Sequence, residues 1–423
     1  MMEKDIYRVS RFNYIVEETA GYFVSLLVAG AYLAKLTTEL GFSDGLTGIL
    51  SAFVSLGCCF QLFSIKVFGH KRAKKKVTAM FLMSDLFFTF LYVMPLVKMN
   101  SAVKSVVFIL VLLGGYGVKQ LAFAAKTNWF MALIDNKKRG IFTSVKEACS
   151  LVTGIVFQLI MGNVVDRLEA AGNTRGVFVV CGLTLFGLAV IHTLSLALSK
   201  EKEPAMPEEN AKKSGVFKIL ANKEIRPVIM VSLLWSVCYA ISTSFYGTYQ
   251  IKELGFSMSF VASLAIVSSC SRIPISFALG KYADKKSFAD MLKICYLLAA
   301  AGFLAVAFST PATGKYLFPL YIIFSGASMG GINSAQINLI FDYVSPEHRS
   351  DVLAVNQAVG GTVAFLATLV TTPLINHIQQ NGNTLFGMHI YAQQVVSVLS
   401  VIMAIGLIVY IQKVVLKMKR YGE

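Results

Sequence analysis

Along the chain, long runs of apolar residues alternate with short polar corners, and the runs lack the two-residue alternation of a half-buried strand. Each run is about 20 to 30 residues long, which suits a helix crossing a bilayer, because a helix rises about 1.5 Å per residue and the hydrocarbon core is about 30 Å thick. The pattern predicts twelve spans: Ile15–Leu36, Leu46–Phe68, Val77–Val97, Ala102–Ile134, Ile141–Val165, Gly176–Leu198, Pro227–Ile251, Ser259–Tyr282, Phe288–Ser309, Tyr316–Tyr343, Val352–Ile378 and Ile390–Ile411. Between the sixth and seventh lies Ser199–Glu224, charged and interrupted by two prolines, which reads as a linker. The expected fold is an all-α membrane protein with twelve transmembrane helices in two six-helix halves, 1–198 and 225–423, joined by a cytoplasmic linker, 199–224.

A repeat supports the two halves. Glu39-Leu40-Gly41-Phe42-Ser43 recurs as Glu253-Leu254-Gly255-Phe256-Ser257, and further on Asn128, Arg139, Ala148 and Gly172-Asn173 recur as Asn338, Arg349, Ala358 and Gly382-Asn383. Ordered matches at near-constant spacing mark an internal duplication, and with six spans per half the copies are parallel, related by an axis along the membrane normal.

Composition agrees. At 56% hydrophobic residues and a mean hydropathy of +0.65, the chain carries more apolar surface than a soluble domain of its size could bury. The net charge of +16 does not point to nucleic acid. Most Lys and Arg fall in the N-terminus, the even-numbered loops, the linker and the C-terminus, which the positive-inside rule assigns to the cytoplasm. Both termini are therefore expected inside, in the inner (plasma) membrane of the cell. The seven cysteines fall in spans without metal-ligand spacing and read as packing residues. No phosphate-binding loop, zinc motif or nucleophile turn is present, so direct ATP drive and hydrolase chemistry are not expected, nor is a cofactor or metal.

Polar residues inside the spans are the candidate site. Lys119 lies near mid-membrane in the fourth span, beside Gln120 and after three glycines, and Lys126 lies two turns nearer the cytoplasm. An intramembrane lysine needs a cavity or a partner. Glu17 and Glu18 of the first span match Lys126 in depth and predict an ion pair. Asp85 of the third span is comparable in depth to Lys119, so a Lys119–Asp85 pair stands beside an unpaired Lys119 that meets substrate. In the seventh span Trp235, Tyr239, Ser242, Tyr246 and Tyr249 recur every three or four residues, a stripe of rings with polar tips suited to a sugar-like solute or, as the alternative, to packing. The tenth span adds Asn333 and Gln336 among small residues. Arg272 of the eighth span reads as a structural or interdomain contact.

Gly280-Lys281-Tyr282-Ala283-Asp284-Lys285-Lys286-Ser287 resembles the loop between the second and third helices of a half in the major facilitator superfamily. Its first-half counterpart, Lys66 to Ala73, has lost the glycine and the aspartate, with Lys66 and His70 in their places. The turns holding Arg139, in Asp135–Gly140, and Arg349, in Pro346–Ser350, look like the family's Arg-containing turns. The resemblance implies a central cavity lined by helices 1, 4, 7 and 10, rocking of the halves for alternating access, and gate roles for Asp284, Arg139 and Arg349.

These readings converge on a secondary transporter, not an enzyme, that moves a polar organic solute, sugar-like or an organic anion. Coupling to a proton or sodium is expected, with Glu17, Glu18 and Asp85 as acidic candidates, and the working unit is expected to be a monomer in lipid. Substrate contacts are expected from Lys119, Gln120, Trp235, Tyr239, Tyr246, Tyr249, Asn333 and Gln336, and coupling or gate contacts from Glu17, Glu18, Lys126, Asp85, Arg139, Arg272, Asp284 and Arg349. The alternatives are export of hydrophobic drugs, or a non-transporting sensor on the same scaffold.

Overall fold

The computed structural model describes residues 6–68, 72–134, 139–202, 222, 225–344, 346–385 and 387–419. Its helices, in chain order, are α1 (Arg8–Leu27, continued beyond a bend by Gly30–Glu39), α2 (the pieces Asp44–Ser51, Phe53–Gly57 and Gln61–Phe68), α3 (Lys74–Leu91) and α4 (Ser101–Met131). They continue with α5 (Arg139–Ala170), α6 (Thr174–Leu198), α7 (Arg226–Thr243, with the turns Tyr246–Thr248 and Tyr249–Glu253), α8 (Met258–Lys285) and α9 (Phe288–Ala307). Last come α10 (Gly314–Tyr343), α11 (Pro346–Gln380), a short hairpin of β1 (Thr384–Leu385) and β2 (Met388–His389), and α12 (Ala392–Lys413).

Among the described residues nine helices are long and apolar enough to cross a membrane, or ten when bent α1 counts as one span. Of the twelve expected spans, the second is broken into short pieces and the tenth is diluted by the small polar stretch Ser325–Gln336. The first span bends by 43° where its two pieces meet. Gly30 there has φ +53°, a left-handed conformation that a side chain would disfavour. The bend frees backbone carbonyls, and two tyrosines supply the missing donors: Tyr92 donates to the carbonyl of Leu27, and Tyr116 donates to that of Val28 at 3.2 Å.

The sequence repeat is also a repeat of backbone shape. Gly41 and Gly255 have φ of +76° and +62°, and Gly172 and Gly382 have φ of +70° and +66°. After α5 the amide of Asn173 bonds the carbonyl of Leu168 and that of Gly172 bonds Glu169; after α11 Asn383 bonds Ile378 and Gly382 bonds Gln379. Both are helix ends closed by a left-handed residue, so the two glycines are kept for one backbone reason.

Contacts divide the chain into two units. The first holds 1–42, 56–209 and 257–262, and the second holds 43–55, 210–256 and 263–423. In the first unit Asp166, near the end of α5, accepts hydrogen bonds from the first amides of α8, Met258 at 2.9 Å and Ser259 at 2.8 Å. In the second unit Asp44, at the start of α2, is buried and meets Lys252 at 2.6 Å and Gln379 at 2.7 Å. One end of the first unit gathers the start of α1, the start of α3 and the ends of α4 and α6. Glu201 accepts from the amides of Ala73 and Lys74, the Trp129 indole donates to the Lys200 carbonyl, and the Lys200 amide donates to Ser10.

The seventh span departs from its expected regularity. After Thr243 the α-helix stops, one turn follows, and Tyr249–Glu253 winds as a wider π-helical turn. The three-and-four spacing from Trp235 to Tyr249 therefore does not lie on one unbroken helix face.

Candidate functional site

In the first unit, the polar residues sit on helix stripes that are otherwise apolar. On α1 the core-facing positions are Ser10, Tyr14, Glu17, Ala20, Val24 and Leu27, at helical spacing, so Glu17 points into the bundle while Glu18 points about 100° away. On α3 Asp85 shares its stripe with Phe81 and Phe88, and on α6 His192 shares one with Cys181, Leu185 and Leu188. Tight contacts bring these helices together. Gly114 and Gly115 of α4 lie against α3, where a Cβ on Gly115 would come within 2.6 Å of the Phe88 ring, and a Cβ on Gly21 of α1 would meet the His192 ring at 3.5 Å.

The result is a buried charge cluster. Lys126 Nζ lies 2.6 Å from Glu17 Oε1 and 2.7 Å from Glu18 Oε1, and Lys146 Nζ lies 2.8 Å from Glu18 Oε2. His192 bridges the other side, with Nε2 2.8 Å from the same Glu17 Oε1 and Nδ1 2.7 Å from Asp85 Oδ2. Glu17 and His192 are fully buried, and Asp85 and Lys126 are nearly so. Aromatic rings line the cluster: Lys126 Nζ lies 4.7 Å from the Phe81 ring centre, Lys146 Nζ lies 4.9 Å from that of Tyr14, and Phe81 meets the His192 ring edge-on. At such distances each pair attracts by about 6 kcal/mol at an effective dielectric of about 20, against a desolvation cost of several kcal/mol per ion.

The expected Lys126–Glu17/Glu18 pair is present. The Lys119–Asp85 pair is not: Asp85 is bonded to His192, and Lys119, half-buried, makes no hydrogen bond or ion pair with a described residue. Gln120 accepts from the Gln61 amide at 2.7 Å. Sequence reasoning does not single out His192, because a lone imidazole in LAVIHTLSLAL reads as core. The signal that could find it is its place on the buried stripe of α6, facing two acidic helices.

The second unit holds the aromatic candidates. The Trp235 ring stacks on Tyr296 with centres 5.0 Å apart and lies 5.7 Å from Tyr239, and the Gln336 amide donates to the Tyr296 hydroxyl at 3.2 Å. Tyr239 and Gln336 are half-buried and Asn333 is exposed. The lower part of the stripe differs from the expected wet face. Ser242 bonds Ser400, Tyr246 bonds Ser397 at 2.7 Å, and Tyr249 donates to the Ser309 carbonyl, so these tips close a buried polar seam within the unit, chiefly against α12. Arg272 is half-buried, its backbone close to Gly330. The side chains of Arg139, Asp284 and Arg349 lie outside the described residues.

Residues 19–368 match the family model of the Major Facilitator Superfamily. Among solved structures, the chain superposes on a point mutant of the nucleoside transporter NupG with a TM-score of 0.75 at 13% identity, covering 95% of this chain and 99% of that one. It also superposes on an auto-inhibited POT-family peptide transporter (0.71, 10%, covering 98% of each) and on a D-xylose–proton symporter (0.65, 14%, covering 95% and 96%). No curated protein matches it by sequence.

Proposed function

Because the chain belongs to the Major Facilitator Superfamily, we propose that it is a secondary active transporter that moves a polar solute of sugar-like or nucleoside-like chemistry, coupled to protons. The reading includes twelve spans with cytoplasmic termini, two six-helix halves working by alternating access in the inner membrane, and a monomer as the working unit. The observation that carries it is the charge cluster of the first unit. A charged side chain at the bilayer centre costs about 2.5–3.5 kcal/mol on insertion scales. Replacing a buried ion pair by apolar residues is often neutral or stabilising, so stability alone is a weak reason to keep one, whereas a transport cycle uses it.

Protons suit the cluster better than sodium. Glu17 and Glu18 already carry an ammonium group on oxygens that a sodium ion would need, while a proton exchanges on those atoms without displacing a side chain.

For the solute, Trp235, Tyr239, Asn333 and Gln336 offer ring faces beside amide and hydroxyl edges, and Lys119 and Gln120 offer an ammonium and an amide. Rings that stack and edges that hydrogen-bond suit sugars and nucleosides more than hydrophobic drugs. The neighbours named for nucleosides and for D-xylose with protons suggest the first solutes to try.

A thermal-unfolding screen of the purified chain tests this reading. A bound solute at about 100 times its Kd adds about 2.7 kcal/mol of apparent stability. Nucleosides or pentoses should raise the midpoint. A rise with hydrophobic cations alone would favour drug export.

A further inference from the structure

Among the groups of the charge cluster, one is placed to hold a proton that it must also be able to lose. The His192 ring touches a carboxylate at each nitrogen, Glu17 Oε1 at 2.8 Å and Asp85 Oδ2 at 2.7 Å. Each contact needs a proton between nitrogen and oxygen, since otherwise two lone pairs face each other. A neutral imidazole carries only one. Two protons must therefore be shared by His192, Glu17 and Asp85, either as an imidazolium between two carboxylates or as a neutral ring with one protonated carboxyl.

The surrounding charges point the same way. The groups facing this trio are Lys126 from α4, on the same Glu17 oxygen, then Glu18 from α1 and Lys146 from α5 beyond it, with Lys119 one helical stretch along α4. Three carboxylates meet two paired ammonium groups, and the second proton of the trio brings the cluster to neutrality. Its departure leaves one negative charge buried in a site where Glu17 Oε2 and Asp85 Oδ1 have no hydrogen-bond partner among the described residues. That cost must be met by movement, by a counter-charge or by rebinding the proton. A way out exists, because Glu18 and Lys146 keep 20% and 14% of their side chains exposed while Glu17 and His192 keep none.

We propose that the His192–Asp85 pair, bridging α6 and α3, is the loading site of the coupling proton, and that its proton leaves and returns by way of Glu17, Lys126 and the partly exposed Glu18–Lys146 edge. The assignment rests on the proton-coupled reading above, but it concerns a protonation that occurs without solute. Nitrogen-15 NMR of labelled histidine in the full chain, in lipid nanodiscs and without solute, tests it. The chain has five histidines, and His192→Gln identifies the signals of the sixth-helix ring.

The expected result is a His192 ring carrying two N–H protons at low pH that loses one as the pH is raised, with Asp85→Asn moving that midpoint by at least about one pH unit. Should His192→Gln fail to fold, substituting His70, His348, His377 and His389 in turn assigns the His192 signal by elimination. A ring that stays in one neutral tautomer at every pH, beside an Asp85 carboxyl with no protonated infrared band, overturns the proposal. So does a midpoint indifferent to Asp85→Asn. If the ring titrates as stated and no solute moves in liposomes, the transport reading fails while the proton site stands.

Discussion

Glu17 offers a single oxygen to Lys126 at 2.6 Å and to His192 at 2.8 Å, so one carboxylate ties the fourth helix to the sixth. Lys126→Met leaves Glu17 with His192 alone and Glu18 with Lys146 alone, and the loss of the buried ammonium should destabilise the protein by about 3–5 kcal/mol. Glu17→Gln made together with Lys126→Met should cost less than the sum of the two single changes, by at least about 1 kcal/mol. Denaturant unfolding of the parent chain, the two single variants and the double variant checks this. Additive costs would mean that the two residues do not act as a pair.

The bend of α1 depends on a side chain from outside it. Tyr92→Phe removes the hydroxyl that satisfies the Leu27 carbonyl and leaves a buried acceptor unpaired, a loss of about 1–3 kcal/mol. The thermal midpoint should fall accordingly, while a surface tyrosine such as Tyr316, 80% exposed, should tolerate the same change. An unchanged midpoint for Tyr92→Phe would show that the bend does not need its donor.

Lys119 is a cation within the fourth span that no described residue claims by a hydrogen bond or ion pair. Its proposed use is solute contact, and Lys119→Gln should raise the KM for the transported solute about tenfold, equivalent to about 1.4 kcal/mol, with a smaller effect on the maximal rate. Initial-rate uptake curves separate the two. A KM left in place would remove Lys119 from the solute site.

Much of this architecture is legible in the pattern of apolar runs, because a helix in lipid must be long and apolar throughout. The repeat is legible too, since Gly41, Gly172, Gly255 and Gly382 hold left-handed turns that few other residues take. The pairing of Lys126 with Glu17 and Glu18 follows from depth alone. Depth does not choose between partners on different helices, which is why it matches Asp85 with Lys119 when the true neighbour of Asp85 is the imidazole of His192. Helix breaks are hidden as well. The wide turn at Tyr249–Glu253 and the interruptions of α2 leave the apolar run unbroken in length, and no proline or glycine pair marks the first of them in the sequence.

Proton-driven accumulation in proteoliposomes tests the central claim most directly. With the interior alkaline, labelled uridine or D-xylose should accumulate above its external concentration, collapse when a protonophore is added, and fail to accumulate in the Asp85→Asn variant. Accumulation that ignores the pH gradient, or no movement of any polar solute under any ion gradient, would contradict the account.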